Sequence, residues 1–191
     1  MKPKLRKILF AASLAAALSA PVSAISITPT SGDLGTTRFE GDQTGQTQIN
    51  TVIGGIIGNT TELYKQNVGD ATDTGDLAGS YVTTFSNTPS DPSEAFIDYV
   101  GGAFLQPTAY LLVKDGDQSP AWYLFNLTAL NLQPGEDITL TGFWPNQGAI
   151  SHVALYSSAG SGTTSVPDGG SAVVLLGFSL AALGMIRRKL R

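Results

Sequence analysis

The feature that most constrains what this chain can fold into is an uncharged apolar run near its end. Ser171 to Ile186 holds Val173, Val174, Leu175, Leu176, Phe178, Leu180, Leu183, Met185 and Ile186 among small residues, and Arg187-Arg188-Lys189-Leu190-Arg191 follows at once. Such a run has no polar face to turn to water, so it is expected in hydrocarbon and outside the soluble fold. As a helix it reaches roughly 24 Å at ~1.5 Å per residue, a little short of a bilayer core of about 30 Å. It spans if the basic cluster Arg187, Arg188, Lys189 and Arg191 snorkels to the far interface. The positive-inside rule keeps that cluster cytoplasmic and places everything before Ser171 outside.

The opposite end carries Lys2, Lys4, Arg6 and Lys7, then the apolar stretch Ile8 to Ala20, then Val22-Ser23-Ala24. A basic start, a short apolar core and small residues at the cut make a secretory signal peptide, with cleavage expected after Ala24 and export by the Sec machinery. The expected organisation is therefore a signal peptide at 1–24, one domain at 25–157, a flexible spacer of Ser, Gly, Thr and Ala at 158–165, and a terminal segment at 166–191. That last segment contains the transmembrane helix 171–186.

Directly before the apolar run stands Val166-Pro167-Asp168-Gly169-Gly170. This motif, with the helix and the basic end behind it, closely resembles the PEP-CTERM class of bacterial sorting signals in a Val-Pro-Asp variant. The resemblance implies that the tail is the substrate of an exosortase, a membrane-embedded transpeptidase-like enzyme. That enzyme would cut near the motif and pass the protein from an inner-membrane-anchored intermediate to the cell surface, extracellular matrix or exopolysaccharide. The chain departs from the best-known form of the signal at Val166, which opens the motif in place of Pro, and at Asp168, where that form has Pro. Four stretches, 111–116, 120–126, 142–144 and 148–156, look like the recurring C-terminal half of small PEP-CTERM surface proteins, a resemblance to which no activity attaches.

Between the two ends the charge is lopsided. Only Arg38, Lys65 and Lys114 are basic against fourteen acids from Asp33 to Asp137, a balance of −11 that the whole-chain value of −4 hides. Nucleic acid and anionic polysaccharide backbones are poor partners for such a body, whereas divalent cations and neutral glycans are less penalised. The chain has no cysteine, which excludes disulfides, thiolate metal sites and thiol nucleophiles, so a core must hold the domain together.

The body reads as mostly β. Glu62–Val68, Tyr81–Ser86, Ala95–Val100, Ala109–Lys114, Ala121–Leu127, Asp137–Thr141 and His152–Ser157 are short β-rich runs, several of them alternating, and turn signals recur between them, as at residues 115–120 and 133–135. In Thr47–Ile57 the paired Gly54 and Gly55 suggest a bulge or a close sheet crossing rather than a helix. The fold class expected is all-β, a single antiparallel β-sandwich or jelly roll, flanked by the signal-peptide helix and the C-terminal transmembrane helix.

Chemistry-bearing constellations are sparse. His152 is the only histidine and no nucleophile motif accompanies it, so a buried or turn-bonded role is expected. Glu62, Glu94 and Asp98 are the candidates for carboxylate-only glycosidase chemistry, the least supported reading. Asp70, Asp73 and Asp76 form the densest acid cluster and are the candidate calcium loop, although their spacing is not that of an EF-hand and no other cofactor is implied. Trp122, Tyr123 and Trp144, with Phe125 and Phe143, are the candidates for stacking on sugar rings. Strand alternation puts Trp122 and Tyr123 on opposite faces, so one is expected in the core and the other exposed; Trp144, at a turn before Pro145, is open to solvent exposure, with core or lid packing expected over a sugar platform. The function expected is that of an exported, non-enzymatic surface or matrix protein of structural or interaction role, with a carbohydrate-binding module for matrix polysaccharide as the competing class.

Overall fold

The computed structural model describes residues 23–58, 61–86, 91–105, 108–116, 118–145, 149–158 and 164–165. The signal peptide up to Val22, the Val166–Gly170 motif, the 171–186 helix and the basic cluster lie outside the described residues. Among the described residues no helix is long and apolar enough to cross a membrane. The elements in chain order are β1 (Ala24–Ile27), β2 (Arg38–Gly41), α1 (Gln46–Ile57), β3 (Glu62–Asn67), β4 (Tyr81–Phe85), β5 (Ala95–Tyr99), β6 (Ala103–Phe104), β7 (Ala109–Lys114), β8 (Trp122–Asn126), β9 (Asp137–Leu140), β10 (His152–Ser157) and β11 (Thr164–Ser165).

The runs of alternating and β-branched residues pair into two main sheets. One has the order β1-β9-β5-β4 and the other β2-β8-β7-β10-β3, while β11 pairs with β6 alone. The chain is thus mostly β, as the alternation requires. One core joins the two sheets: Ile27, Ile97, Ile138 and Leu140 from the first meet Leu111, Val113, Tyr123, Phe125, Val153 and Leu155 from the second. These residues occupy every other position of their strands, so each sheet turns one face inward.

Three expectations need correction. The sandwich is not purely antiparallel, because β1 runs parallel to β9 with Ile25 opposite Ile138 and Ile27 opposite Leu140. Gln46–Ile57 is an α-helix and not a bulge. Ile49, Val52, Ile53, Ile56 and Ile57 recur at helical spacing, and Ile49, Ile53 and Ile57 make one buried stripe. The two glycines do not break it, and the chain leaves the helix at Gly58 in the left-handed conformation, φ 70°, which glycine adopts without a Cβ penalty. Finally, the spacer is not free throughout: Thr164 and Ser165 pair antiparallel with Phe104 and Ala103.

The helix determines how the five-stranded sheet is finished. Its isoleucine stripe packs on Leu112, Ala121, Trp122, Leu124, Ala154 and Tyr156, which form a second apolar cluster on the sheet face turned away from the sandwich core. That sheet is buried on both faces, which is why β7, β8 and β10 read as nearly continuous apolar runs with little polar alternation. The four-stranded sheet has only its inner face covered by this core, and Val82, Phe96 and Val100 on or beside β4 and β5 are exposed.

Candidate functional site

The aromatic candidates end up inside. Trp122 and Tyr123 do point to opposite faces, as alternation demands, but both are buried, at 1% and 8% exposure. The expectation that one of them faces solvent fails because α1 covers the second face. Trp122 lies in the cluster beneath α1 and donates from Nε1 to Gln43 Oε1 at 3.1 Å. Tyr123 lies in the sandwich core, stacked on Phe125 with ring centroids 6.2 Å apart and edge-on to Phe143 at 5.6 Å.

Trp144 closes this ring cluster from the side. Its centroid is 5.4 Å from Tyr123 and 5.7 Å from Phe143, and its Nε1 donates to the Pro120 carbonyl at 2.8 Å. The residue holds φ at 43°, a left-handed conformation that costs a bulky side chain about 1–3 kcal/mol and persists only where its surroundings fix it. Here the fixing contacts are the two rings and the indole hydrogen bond, so Trp144 is a half-buried lid. Tilted and edge-on rings locked in this way present no flat row on which a sugar could stack.

The acidic candidates are dispersed. Asp70 accepts a hydrogen bond from Asn67 Nδ2 at 2.7 Å, Asp73 accepts one from the Gly79 amide at 3.3 Å, and Asp76 is exposed. Each carboxylate that bonds serves the loop after β3, and among the described residues no group of three or more His, Cys, Asp or Glu is placed to hold a metal ion. Glu94 is exposed just before β5, and Glu62 is half-buried at the start of β3, opposite Tyr156 of β10 in the register. Burial and this carboxylate together raise the Tyr156 phenol above its ordinary range.

Asp98 does find a partner, and it is a residue the sequence did not single out. Asp137, which opens β9, stands beside Asp98 of β5, one rung on from the Ile97–Ile138 pair. Burial first, then the neighbouring Asp137 charge, raise Asp98 above the usual carboxylate range. Asp137 is 7% exposed and accepts from the Tyr99 amide at 2.8 Å. No property of a single strand marks Asp137; its role arises from the register of β9 on β5.

His152 is 7% exposed at the start of β10, opposite Lys114 on β7 and Asn67 on β3. Its Nε2 is buried without a hydrogen-bond partner, and Nδ1 is 3.5 Å from Ser151 Oγ. Burial, followed by the positive charges of Lys65 and Lys114, pushes its pKa down to about 3. Among the described residues no carboxylate bonds this ring, the contact by which a triad orients its base.

Ala24, the expected cleavage residue, lies inside β1, with the Ser23 carbonyl before it accepting from the Asp137 amide at 3.2 Å. The motif itself lies outside the described residues, and Thr164–Ser165 hold the chain to β6 just before it begins. No curated protein and no solved structure matches the chain. A family model does match its end: residues 165–190 fit the VPDSG-CTERM motif, with Gly169 standing where the motif's name has Ser. The chain therefore carries, at residues 165–190, a C-terminal sorting signal of the PEP-CTERM kind, the mark of an exported, surface-directed protein.

Proposed function

We propose that this is an exosortase cargo whose β-domain serves a structural, non-catalytic role at the cell surface or in the extracellular matrix. The observation that carries the reading is the sorting signal at residues 165–190. The burial of Trp122 and Tyr123 and the locked, half-buried Trp144 favour a structural role over a sugar platform. The dispersal of Glu62, Glu94 and Asp98 favours it over glycosidase chemistry. In this reading the leader is removed during Sec export and residues 171–186 hold the protein briefly in the inner membrane. The exosortase then cuts near Val166–Gly170 and delivers the domain to the surface, matrix polysaccharide or biofilm.

The test is a double substitution, Pro167→Ala with Asp168→Ala, made in the native cell. Export and leader removal proceed as before, while the tail stays attached and the protein accumulates in the membrane fraction. Normal tail removal from this variant would refute the processing step.

A further inference from the structure

β6 is two residues long and belongs to neither main sheet. Gly101 and Gly102, at φ 121° and 88°, carry the chain from β5 into it in conformations that glycine adopts without a Cβ penalty. Two tyrosines then fasten the short strand at its ends. Tyr99 donates from its hydroxyl to the Gly102 carbonyl at 2.8 Å, and the Leu105 amide donates to the Tyr81 hydroxyl at 3.1 Å. The two rings pack 5.3 Å apart, and Tyr81 and Leu105 are both buried in the sandwich core, so β6 is a fixed platform.

Among the described residues this platform pairs with one strand alone, β11, with Thr164 opposite Phe104 and Ser165 opposite Ala103. Ser165 is also the first residue of the sorting signal. Only residues 166–170 separate the docked strand from the apolar run that begins at Ser171. The six steps from Ser165 to Ser171 span at most about 22 Å. A membrane-embedded enzyme that cuts near the motif must therefore take hold of a chain whose preceding residues are already paired to the domain.

We propose that β6 is a docking strand for the entry to the sorting signal, and that β11 must leave it before the tail is cut. The proposal rests on the exosortase reading given above. A cleft that grips an extended peptide does so through main-chain hydrogen bonds, and β11 cannot offer the same groups to β6 and to such a cleft at once. Only the undocked fraction of the chain is then a substrate, and its apparent affinity for the enzyme falls by that fraction. A ladder of two residues holds few hydrogen bonds, so it opens locally while the two main sheets stay folded. After the cut, β11 is left near the new end of the chain and returns to β6.

The experiment follows tail removal from the full chain by pulse-chase in the native cell. Directly paired residues have Cα atoms about 4.5–5.5 Å apart, within disulfide reach, and the chain has no other cysteine to compete. Ala103→Cys combined with Ser165→Cys, its cross-link verified by mass, is expected to keep its tail at least about tenfold longer than either single-cysteine chain, and a thiol reductant restores removal. Thr164→Pro, which lies outside the matched residues and spoils the ladder, is expected to speed removal on the order of tenfold, the gain from freeing one or two hydrogen bonds. A cross-linked chain that loses its tail as fast as the single-cysteine chains overturns the proposal, as does a proline variant cut no faster than the native chain. A native chain that keeps its tail overturns it through the processing step on which it rests.

Discussion

Acid should unfold this domain through one histidine, by an amount that the structure sets. His152 is buried and neutral, its pKa down at about 3 through burial and the charges of Lys65 and Lys114, against an ordinary value of 6.5. Below 6.5 the unfolded chain takes up a proton at this site that the folded chain refuses, so stability falls as pH drops, and keeps falling until pH reaches about 3. At about 1.4 kcal/mol per unit, a drop to two units below the ordinary value removes about 2.7 kcal/mol. This is a large share of the ~5–15 kcal/mol that holds an ordinary domain. Urea unfolding of the native protein and of His152→Gln, each from pH 7 to about pH 4.5, isolates the effect from the many carboxylates. The native protein should lose about 2–3 kcal/mol more than the variant over that range. In the native protein, the His152 ring protons should also show no titration over it. Parallel stability curves, or a ring that titrates near its ordinary value, would refute the buried neutral imidazole.

Two glycines should respond to alanine in opposite directions. A Cβ at Gly55, inside α1, meets nothing, so Gly55→Ala should stabilise by about 0.5–1 kcal/mol in urea unfolding through helix propensity. At Gly75 φ is 104° and a Cβ would overlap the Leu63 carbonyl and stand 2.9 Å from the Tyr64 nitrogen, so Gly75→Ala should lower the unfolding midpoint markedly. Ile53 is fully buried between α1 and the five-stranded sheet, and Ile53→Ala should cost about 2–5 kcal/mol in the same assay. A loss below about 1 kcal/mol would mean that α1 does not cover that face.

How much of this could be read from the chain depended on how local each signal was. β3, β4, β5, β7, β8, β9 and β10 were legible because β-rich runs and turn residues announce a strand within a few positions. α1 was hidden although its isoleucines keep helical spacing, because Gly54-Gly55 weighs against a helix on propensity alone; packing of the Ile49, Ile53 and Ile57 stripe overrides that weight. For the same reason one of Trp122 and Tyr123 was expected at the surface, since nothing in their strand says that a helix sixty-odd residues earlier returns to cover its outer face. β2 has a single large apolar residue, Phe39, and gave no pattern. β1 was lost at the boundary with the leader, to which Ala24 was assigned. The Asp98–Asp137 contact depends on how β5 and β9 align, which no spacing along the chain encodes. The sorting signal, by contrast, is contiguous and was readable residue by residue.

The most direct test of the account is the intact mass and C-terminal peptide map of the native protein recovered from cells and medium. The account predicts a surface or medium form that starts at Ile25 and lacks the residues beyond the neighbourhood of Pro167. Retention of the chain through Arg191 in the membrane fraction, with no shorter form elsewhere, would contradict it and leave a tail-anchored envelope protein.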